Sequence, residues 1–513
     1  MGWNQGYVSD IEYPITFFTE QSPAHLNFAC VLNGVEPVPT DRPFTYFELG
    51  SGKGLTANIL AASNPHGRFY ATDFNPAQVV SSRQMSRDAG LENLEILEAS
   101  FGDLAAGKID LPPMDFITMY GVYSWINAEN RAYVVQIIAR YLKPGGVVYL
   151  NYNAMPGWTN VLPLQRLIFD HAGANPAPRQ LQVARARDFV DQVAAAPANY
   201  FSGHSTLQYR LESLRKDKTG YLAHEYINDG WKPLYHADVA RDLAPAKLNF
   251  IGSAELWRAF PQLYISADQQ ALLDGVTDGT LRETIKDYIH NTSFREDVYV
   301  RGARSMTPAR QAHCLGQLGL AMTTVRGSAV LEFQTPNGKI LGERDLYLPI
   351  LEAIEQGPCS FTELAALPAL AERGILGVAQ VAAFLMASGQ ASVYPLSAGT
   401  VDSAPAKRLN QVIAELSMEN DQHQALASSL LGTGIKAGLV QRLMYRTLHQ
   451  EPERRTAPDI TEFVAQAIEG QGRRLQREGV DLAFGAESVA ELLPTVIAIM
   501  QQRLPVWEQL SMR

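Results

Sequence analysis

Between residues 44 and 153 the chain alternates short apolar runs with longer amphipathic ones. Five apolar runs have the length and the β-branched or aromatic content of buried strands: FTYFELG (44–50), RFYATD (68–73), LEILEAS, MDFITMYG and GVVYLNYN. The runs between them have helical spacing: Leu55 to Ala62, Asn75 to Gly90, and ENRAYVVQIIARYLKPGG. Strands that alternate with helices in this way predict a parallel α/β sheet.

The pattern changes after Pro156. Residues 157–330 are predicted to be mainly helical, with irregular aromatic-rich segments near 221–236 and 250–265. From Leu346 onward the pattern predicts three helices and a short hairpin, which is the layout of a winged-helix-like module, and residues 405–513 again have helical spacing. We therefore predict four domains: 1–160, 161–330, 331–400 and 401–513.

Composition and charge narrow the functional classes. A chain of 513 residues is too long for one hydrophobic core, and a net charge of −10 argues against a protein that grips nucleic acid. The third helix of the winged-helix-like module, VAQVAAFLMASG, contains no Lys or Arg, so a DNA-linked regulator is also disfavoured. The sequence pattern predicts neither a signal peptide nor a membrane span. The three distant cysteines favour a reducing cytoplasm and indicate neither a disulfide framework nor a metal site.

The turn after the first strand carries the strongest chemical signal. Glu48 is followed by Gly50, Ser51, Gly52 and Gly54, between a strand and a helix. Glycines are needed where a ligand lies against the backbone and a helix N-terminus. The turn is neither a dinucleotide fingerprint, which has glycine where this chain has Leu55, nor a phosphate-binding P-loop, because glycine follows Lys53. An acid just before the glycines suits a ligand with a positive charge and an amino group.

Further candidates follow the other strands, where ligands bind in open α/β sheets. Asp73 ends the second strand, where a carboxylate can bind both ribose hydroxyls, and Phe74 comes next. Ser100 and Phe101 follow the third strand, where an adenine pocket would lie. The fourth strand ends in an aromatic turn that should face the reacting group: Tyr120, Gly121, Tyr123, Ser124 and Trp125.

In these elements residues 40–155 resemble the class I S-adenosylmethionine-dependent methyltransferases. The resemblance implies a Rossmann-like domain with S-adenosylmethionine as the cofactor and no metal. It implies that the cofactor is bound by Glu48, Gly50, Ser51, Gly52, Gly54, Asp73, Phe74, Ser100, Phe101, Tyr120 and Gly121.

Two aromatic-rich segments lie outside this domain. The N-terminal segment, with Tyr13 and Phe17, either covers the cofactor cleft or packs as a helix on the sheet edge. The middle segment runs from Tyr221 to Asp238, and so many polar-tipped side chains would be costly in an ordinary core. With Phe294 to Gly302 it resembles the methyltransferase regulatory domain of a bacterial group that includes rickettsial outer-membrane protein lysine methyltransferases. One departure is Tyr120, where that group is expected to have histidine.

This second resemblance implies methyl transfer to lysine side chains of a protein. A lysine must lose its proton first, and an aromatic pocket with a carboxylate favours that loss. The catalytic candidates are Tyr123, Trp125, Glu225 and Tyr226, and Glu225 alternatively forms a structural ion pair. The substrate-binding candidates are Tyr13, Phe17, Ser124, His224, Trp231 and Tyr235. A small-molecule N-, O- or S-methyltransferase that uses the extra domains as a lid is the alternative, and both a monomer and a homodimer are compatible with the sequence.

Overall fold

The computed structural model describes residues 15–196, 198–201, 205–216, 225–335, 338–450 and 456–513. Its centre is a seven-stranded sheet in the order β3-β2-β1-β4-β5-β7-β6. The first five strands in that order are parallel, and β7 runs antiparallel to both of its neighbours. The strand order reverses between β1 and β4, which is where open α/β sheets bind their ligands.

The first part of the chain contains α1 (Pro23–Leu32), β1 (Thr45–Leu49), α2 (Leu55–Ser63), β2 (Arg68–Asp73), α3 (Pro76–Asp88), β3 (Leu94–Glu98), α4 (Phe101–Ala105), β4 (Met114–Met119), α5 (Ala128–Tyr141) and β5 (Leu142–Asn153). The predicted alternation of strands and helices is confirmed. The local signals explain the helix starts: in α3, Asn75 caps the first turn and Pro76 occupies its first position. One boundary differs, because α5 ends at Tyr141 and the Pro144-Gly145 pair already belongs to β5.

The middle part contains α6 (Leu162–Ala174), α7 (Arg179–Ala195), α8 (Ser205–Lys216), α9 (His236–Leu243), β6 (Leu248–Ser253), α10 (Ala267–Asp274), α11 (Gly279–His290), β7 (Phe294–Arg301), α12 (Pro308–Gly316) and β8 (Leu318–Met322). Helices predominate as predicted, but β6 and β7 complete the central sheet. The sequence did not predict β7 because charged residues occupy buried positions in it. Arg295 and Asp297 are both buried and form a hydrogen bond of 2.9 Å with each other. Chain segments from the middle region thus form two of the seven strands.

The last part contains β9 (Glu332–Thr335), β10 (Gly338–Leu341), α13 (Arg344–Gln356), β11 (Cys359–Ser360), α14 (Phe361–Ala365), α15 (Gly374–Ala387), β12 (Ala391–Pro395), α16 (Ala404–Leu416), β13 (Ala425–Ser428), β14 (Thr433–Lys436), α17 (Leu439–Gln450), α18 (Ala457–Gly470), β15 (Gln476–Arg477), β16 (Val480–Asp481), α19 (Ala486–Ala498) and α20 (Leu504–Gln509). The three predicted helices α13, α14 and α15 form. The predicted hairpin after them does not, because β12 pairs with β8 from the preceding segment. The winged-helix prediction is therefore not confirmed.

The C-terminal part covers the helix that follows the glycine turn. The side chain of Asn64, at the end of α2, donates to the Gly432 carbonyl at 2.8 Å, and the Ser63 hydroxyl donates to the Thr433 carbonyl at 3.1 Å. One apolar core joins Leu55 and Ile59 of α2 to residues of this C-terminal part. This packing holds α2, and with it the glycine turn, from behind.

Within the described ranges no helix is both long and apolar enough to span a bilayer. In the same residues no group of three or more His, Cys, Asp or Glu side chains is arranged to hold a metal ion.

Candidate active site at the switch point of the sheet

The loop after β1 turns at three glycines. Gly50, Gly52 and Gly54 have φ values of +72°, +54° and +71°, a left-handed conformation that glycine adopts readily. The backbone N–H groups of Gly50 and Ser51 both donate to the Thr72 carbonyl at 2.9 Å. These bonds tie the loop to the end of β2, so that two of the predicted cofactor-binding elements meet.

A side chain at these glycines would meet different surroundings. A Cβ at Gly54 would lie 1.8 Å from the Ser82 hydroxyl, and a Cβ at Gly50 would lie 2.6 Å from Val122 beyond β4. A Cβ at Gly52 would have no atom within 4 Å. Gly54 and Gly50 are therefore required by packing, whereas Gly52 faces the open cleft.

Asp73 closes the other side of this turn. Its Oδ2 accepts the Gly52 N–H and its Oδ1 accepts the Asn75 N–H, each at 2.9 Å. Burial raises the pKa of this carboxyl above its ordinary value, although hydrogen bonds from the backbone of Asn75, Gly52 and Phe74 partly offset the effect. A carboxylate offers about four acceptor sites, so both oxygens can still accept ribose hydroxyls.

The remaining cofactor candidates lie along the same edge of the sheet. Phe74 follows Asp73 and is half-buried, and the Ser100 hydroxyl caps α4 by accepting the Asp103 N–H at 3.1 Å. Phe101 is the first residue of α4 and lies three residues after the end of β3. Tyr120 follows the end of β4. Each predicted cofactor residue thus lies near the carboxyl end of one of the strands β1 to β4.

Glu48 lies at the floor of the cleft and is almost completely buried. Burial raises the pKa of its carboxyl to about 8, and the nearby charge of Asp73 adds to the rise, while a hydrogen bond from Gln21 at 3.2 Å opposes it. Its Oε2 has no hydrogen-bond partner among the described residues. A buried acid of this kind is stabilised in its charged form by a cationic ligand.

These observations fit the cofactor that the sequence resemblance implies. Gly52 has room beside its backbone for such a ligand, the Asp73 carboxylate can accept ribose hydroxyls, and Glu48 can complement a positive charge. When bound, S-adenosylmethionine supplies an electrophilic methyl group on a sulfonium, and the protein contributes position and charge.

The raised pKa of Glu48 makes cofactor affinity depend on pH. A neutral Glu48 must lose its proton to complement a cation, so affinity for S-adenosylmethionine is expected to rise between pH 6 and 7.5, by up to about tenfold per unit. Without ligand, the neutral form stabilises the fold, and this stabilisation is lost as pH rises toward 8. Calorimetric titrations at several pH values test this. Glu48→Gln should flatten the pH profile, and an equally steep profile in that variant would contradict the assignment.

An aromatic wall stands at the end of β4. The Tyr120 ring stacks on the Phe18 ring, with centroids 3.4 Å apart and planes inclined by 15°. The rings of Tyr149 and Phe294 lie 6.5 Å and 6.4 Å from that of Tyr120. The N-terminal segment therefore reaches the cleft through Phe18. Phe17, the predicted substrate contact, is instead buried against α2 and the C-terminal part.

Carboxylates adjoin this wall. The Tyr149 hydroxyl donates to Glu296 Oε1 at 3.3 Å. The pKa of Glu296 is well above its ordinary value because the group is buried and because Glu20 and Glu255 carry like charge nearby. The end of β4 therefore faces aromatic rings and acids together.

The structure brings Trp125, Glu225 and Trp231 together. Glu225 is buried and accepts the Trp125 indole N–H at 3.2 Å and the Asn153 side-chain N–H at 2.9 Å. Trp125 and Trp231 belong to one apolar cluster with Trp158. Since both carboxylate oxygens of Glu225 are held by these donors, its contacts indicate that it positions Trp125 and Asn153.

Other candidates lie away from the cleft. Tyr123 is buried in the core beneath α5, and its hydroxyl has no hydrogen-bond partner among the described residues. Ser124 is buried and accepts the Asn153 backbone N–H at 2.7 Å, and Tyr226 belongs to the core of the helices α6 to α8. Tyr235 is half-buried at the start of α9. These positions favour packing over contact with substrate. Tyr13 and His224 lie outside the described residues.

Sequence reasoning did not single out Phe18, Glu20, Gln21 and Glu296 as site residues. Each belongs to a segment that the sequence did mark as aromatic or polar, but only the pairing of β7 with β5 brings residue 296 beside the aromatic turn. The sequence of β7 contains a signal that could have predicted the position of Glu296. Side chains alternate between the two faces of a strand, so Phe294 and Glu296 share one face and Arg295 and Asp297 the other.

Comparison with known proteins agrees with this geometry. The model of a family described as "Methyltransferase domain" matches residues 47–148, and that described as "Predicted methyltransferase regulatory domain" matches residues 218–301. An uncharacterized protein of Synechocystis sp. is 34% identical over the full length of both chains. An uncharacterized protein of Rickettsia prowazekii is 23% identical over 43% of this chain and 86% of its own.

A solved structure is similar over nearly the whole chain. PKMT2 from Rickettsia typhi, in complex with AdoHcy, superposes with a TM-score of 0.68. The superposition covers 96% of this chain and 99% of that one, at 16% sequence identity. The likeness therefore extends from the Rossmann-like sheet through the middle and C-terminal parts of the fold.

Proposed function

Since the chain belongs to the class I S-adenosylmethionine-dependent methyltransferases that carry a methyltransferase regulatory domain, we propose that it methylates lysine side chains of a protein substrate. The observation that carries the proposal is the composition of the cleft beyond the cofactor site. Aromatic rings and carboxylates lie together at the end of β4, around Tyr120, Tyr149 and Glu296. Such a wall suits an aliphatic chain that ends in an ammonium group.

The reaction requires little more than position and charge. A lysine ammonium, with a pKa near ~10.4, must first lose a proton, and burial between rings favours its neutral form. Tyr120 and Phe18 stack on each other and give this part of the cleft an apolar surface. Glu225 accepts hydrogen bonds from Trp125 and Asn153 and so holds the turn after β4 beside the end of β5. These contacts align the acceptor nitrogen for in-line attack on the methyl group. Precise positioning of the reacting atoms raises the rate of such a reaction strongly.

The resemblance of the middle region to the regulatory domain of the rickettsial lysine methyltransferases supports a protein acceptor. The full-length similarity in fold to PKMT2 is consistent with it. Large domains beyond the Rossmann-like sheet also provide surface for a polypeptide that a small acceptor does not need.

Product analysis tests the proposal. The purified chain is incubated with methyl-labelled S-adenosylmethionine and, separately, with poly-L-lysine and with protein extract from a strain that lacks the enzyme. We expect acid hydrolysates of the protein fraction to contain labelled Nε-methyl-lysine. Label on oxygen or sulfur, or label confined to small molecules, would contradict lysine methylation and favour the small-molecule alternative. A Gly52→Val sample serves as the control for background transfer.

A further inference from the structure

Asn151 and Glu296 form a pair on the face of the sheet that carries the aromatic wall. They are directly opposite in the antiparallel register of β5 and β7, so their side chains stand on the same face. Asn151 is fully buried, and its Oδ1 accepts the Gly121 N–H at 2.8 Å. Because that bond fixes which end of the amide is oxygen, the other end is a donor, and it has no partner among the described residues.

A buried donor without a partner costs free energy, so this amide indicates a group that arrives with a ligand. Gly121, whose N–H donates to Asn151, lies in the loop after β4. Val122 of the same loop lies beside Gly50. Asn151 therefore lies between the cofactor turn and β7. An oxygen of the cofactor or of a peptide acceptor can satisfy its N–H.

Glu296 is the acidic member of this pair. It lines a cavity of ≈ 90 Å³, in which the other charged groups pair with one another: Arg258 with Glu255, Lys286 with Glu283, and Arg295 with Asp287 and Asp297. Glu296 forms no salt bridge among the described residues, and Glu20 adds a second negative charge nearby. The local charge therefore favours a cation beside Glu296.

We propose that the acceptor amine binds at Glu296, between Asn151 and the Tyr120–Phe18 stack, and that Glu296 takes the proton which the amine must lose. The proposal rests on the proposed function and assigns its acceptor site. The Glu296 carboxylate removes one proton from the ammonium. The free nitrogen pair then forms the N–C bond to the methyl group while the S–C bond breaks and its electrons remain on sulfur.

Charge and burial at Glu296 suit this role. In the free protein, burial and the charges of Glu20 and Glu255 raise its pKa and favour the neutral carboxyl, with Arg258 opposing. An ammonium group bound beside it favours the carboxylate, and a carboxylate with a raised pKa is a stronger base than an exposed glutamate. The Tyr149 hydroxyl donates to it and keeps it oriented. Glu225 is less suited, because donors from Trp125 and Asn153 already engage both of its oxygens.

Binding without chemistry gives the first test. Calorimetry follows n-butylamine titrated at pH 7.5 into the full chain saturated with S-adenosylhomocysteine. We expect saturable binding at one site, weakened about tenfold or more in Glu296→Gln and a few-fold in Glu20→Gln. Glu372→Gln, an exposed carboxylate on the 344–387 segment, should bind like wild type. Absence of saturable binding to wild type, or equal binding to Glu296→Gln, would overturn the proposal.

Two further readouts separate the possible roles of Glu296. Glutamine has the size of glutamate and can still accept the Tyr149 hydroxyl, so the melting temperature of Glu296→Gln should stay near that of wild type. If the melting temperature falls, the binding of n-butylamine to Glu20→Gln tests the proposal instead. A tenfold loss of S-adenosylhomocysteine affinity in Glu296→Gln would mean that this residue holds the cofactor, and the proposal would fail. Turnover of Glu296→Gln should recover with rising pH, because free amine becomes abundant.

The failure of this inference differs from the failure of the proposed function. Nε-methyl-lysine formed equally well by wild type and Glu296→Gln would remove the acceptor-site assignment and leave lysine methylation in place. Absence of any N-methyl product from wild type would remove both.

Discussion

Gly52→Val is expected to lower affinity for S-adenosylmethionine at least about a hundredfold, which is effectively a loss of binding. The Gly52 Cβ position has no protein atom within 4 Å and lies over the open cleft, beside the Asp73 carboxylate that accepts the Gly52 N–H. Valine would fill the space in which the cofactor lies against the backbone. Its branched side chain is also strained at φ +54°. Calorimetric titration of the purified variant measures the effect.

Gly145→Val is the matched control. Gly145 has φ +81° and likewise no atom within 4 Å of its Cβ position. It lies near the start of β5, whereas the cofactor candidates lie at the carboxyl ends of the strands. The backbone strain is therefore similar while the cleft is untouched. Cofactor affinity within about twofold of wild type is expected for Gly145→Val. Comparable loss in both variants would mean that strain alone explains the Gly52 result.

Arg295→Met is expected to destabilise the fold by about 3–5 kcal/mol, the cost of leaving buried charges unpaired. The Arg295 guanidinium is 8% exposed and bonds Asp297, Asp287 and Glu283 at 2.9, 2.7 and 3.3 Å. Asp297 also accepts the Tyr152 hydroxyl at 2.7 Å. Removal of the cation leaves several acids facing one another between β7 and α11. The expected readout is a large fall in the midpoint of denaturant unfolding.

Arg326→Met separates burial from the number of partners. Arg326 also pairs with two carboxylates, Glu352 and Glu355, but these acids are largely exposed. Exposed pairs contribute about 0–1 kcal/mol, so the midpoint should hardly move. If both variants fall equally, the buried network does not hold β7 as the contacts indicate.

The cofactor half of the site could be predicted because its signals are local. Gly50, Gly52 and Gly54 form one turn, and Asp73 ends the next strand, so spacing along the chain indicates contact. In the structure the two elements are in contact, because the Gly52 N–H donates to the Asp73 carboxylate. The helices α3 and α4 also begin at recognisable N-caps, Asn75 and Ser100.

The acceptor half could not be predicted in the same way. The proposed acceptor site combines Phe18, Tyr120, Asn151 and Glu296. Pairing of β5 with β7 brings Asn151 and Glu296 together, and ring stacking places Phe18 against Tyr120. Glu296 lies in β7, which also contains the buried charged residues Arg295 and Asp297. A run with so many charged residues does not have the sequence pattern of a core strand. The aromatic pair at 17 and 18 shows the limit of residue type alone. Adjacent residues point to different sides, and only one of them reaches the cleft.

A crystal structure of the chain with S-adenosylhomocysteine would show whether the cofactor binds at the glycine turn after β1. We expect the ligand at the switch point between β1 and β4, with its ribose hydroxyls on Asp73, its backbone contacts at Gly50 and Gly52, and its sulfur facing Tyr120. Density for the ligand elsewhere, or a cleft that stays empty at saturating ligand, would contradict it.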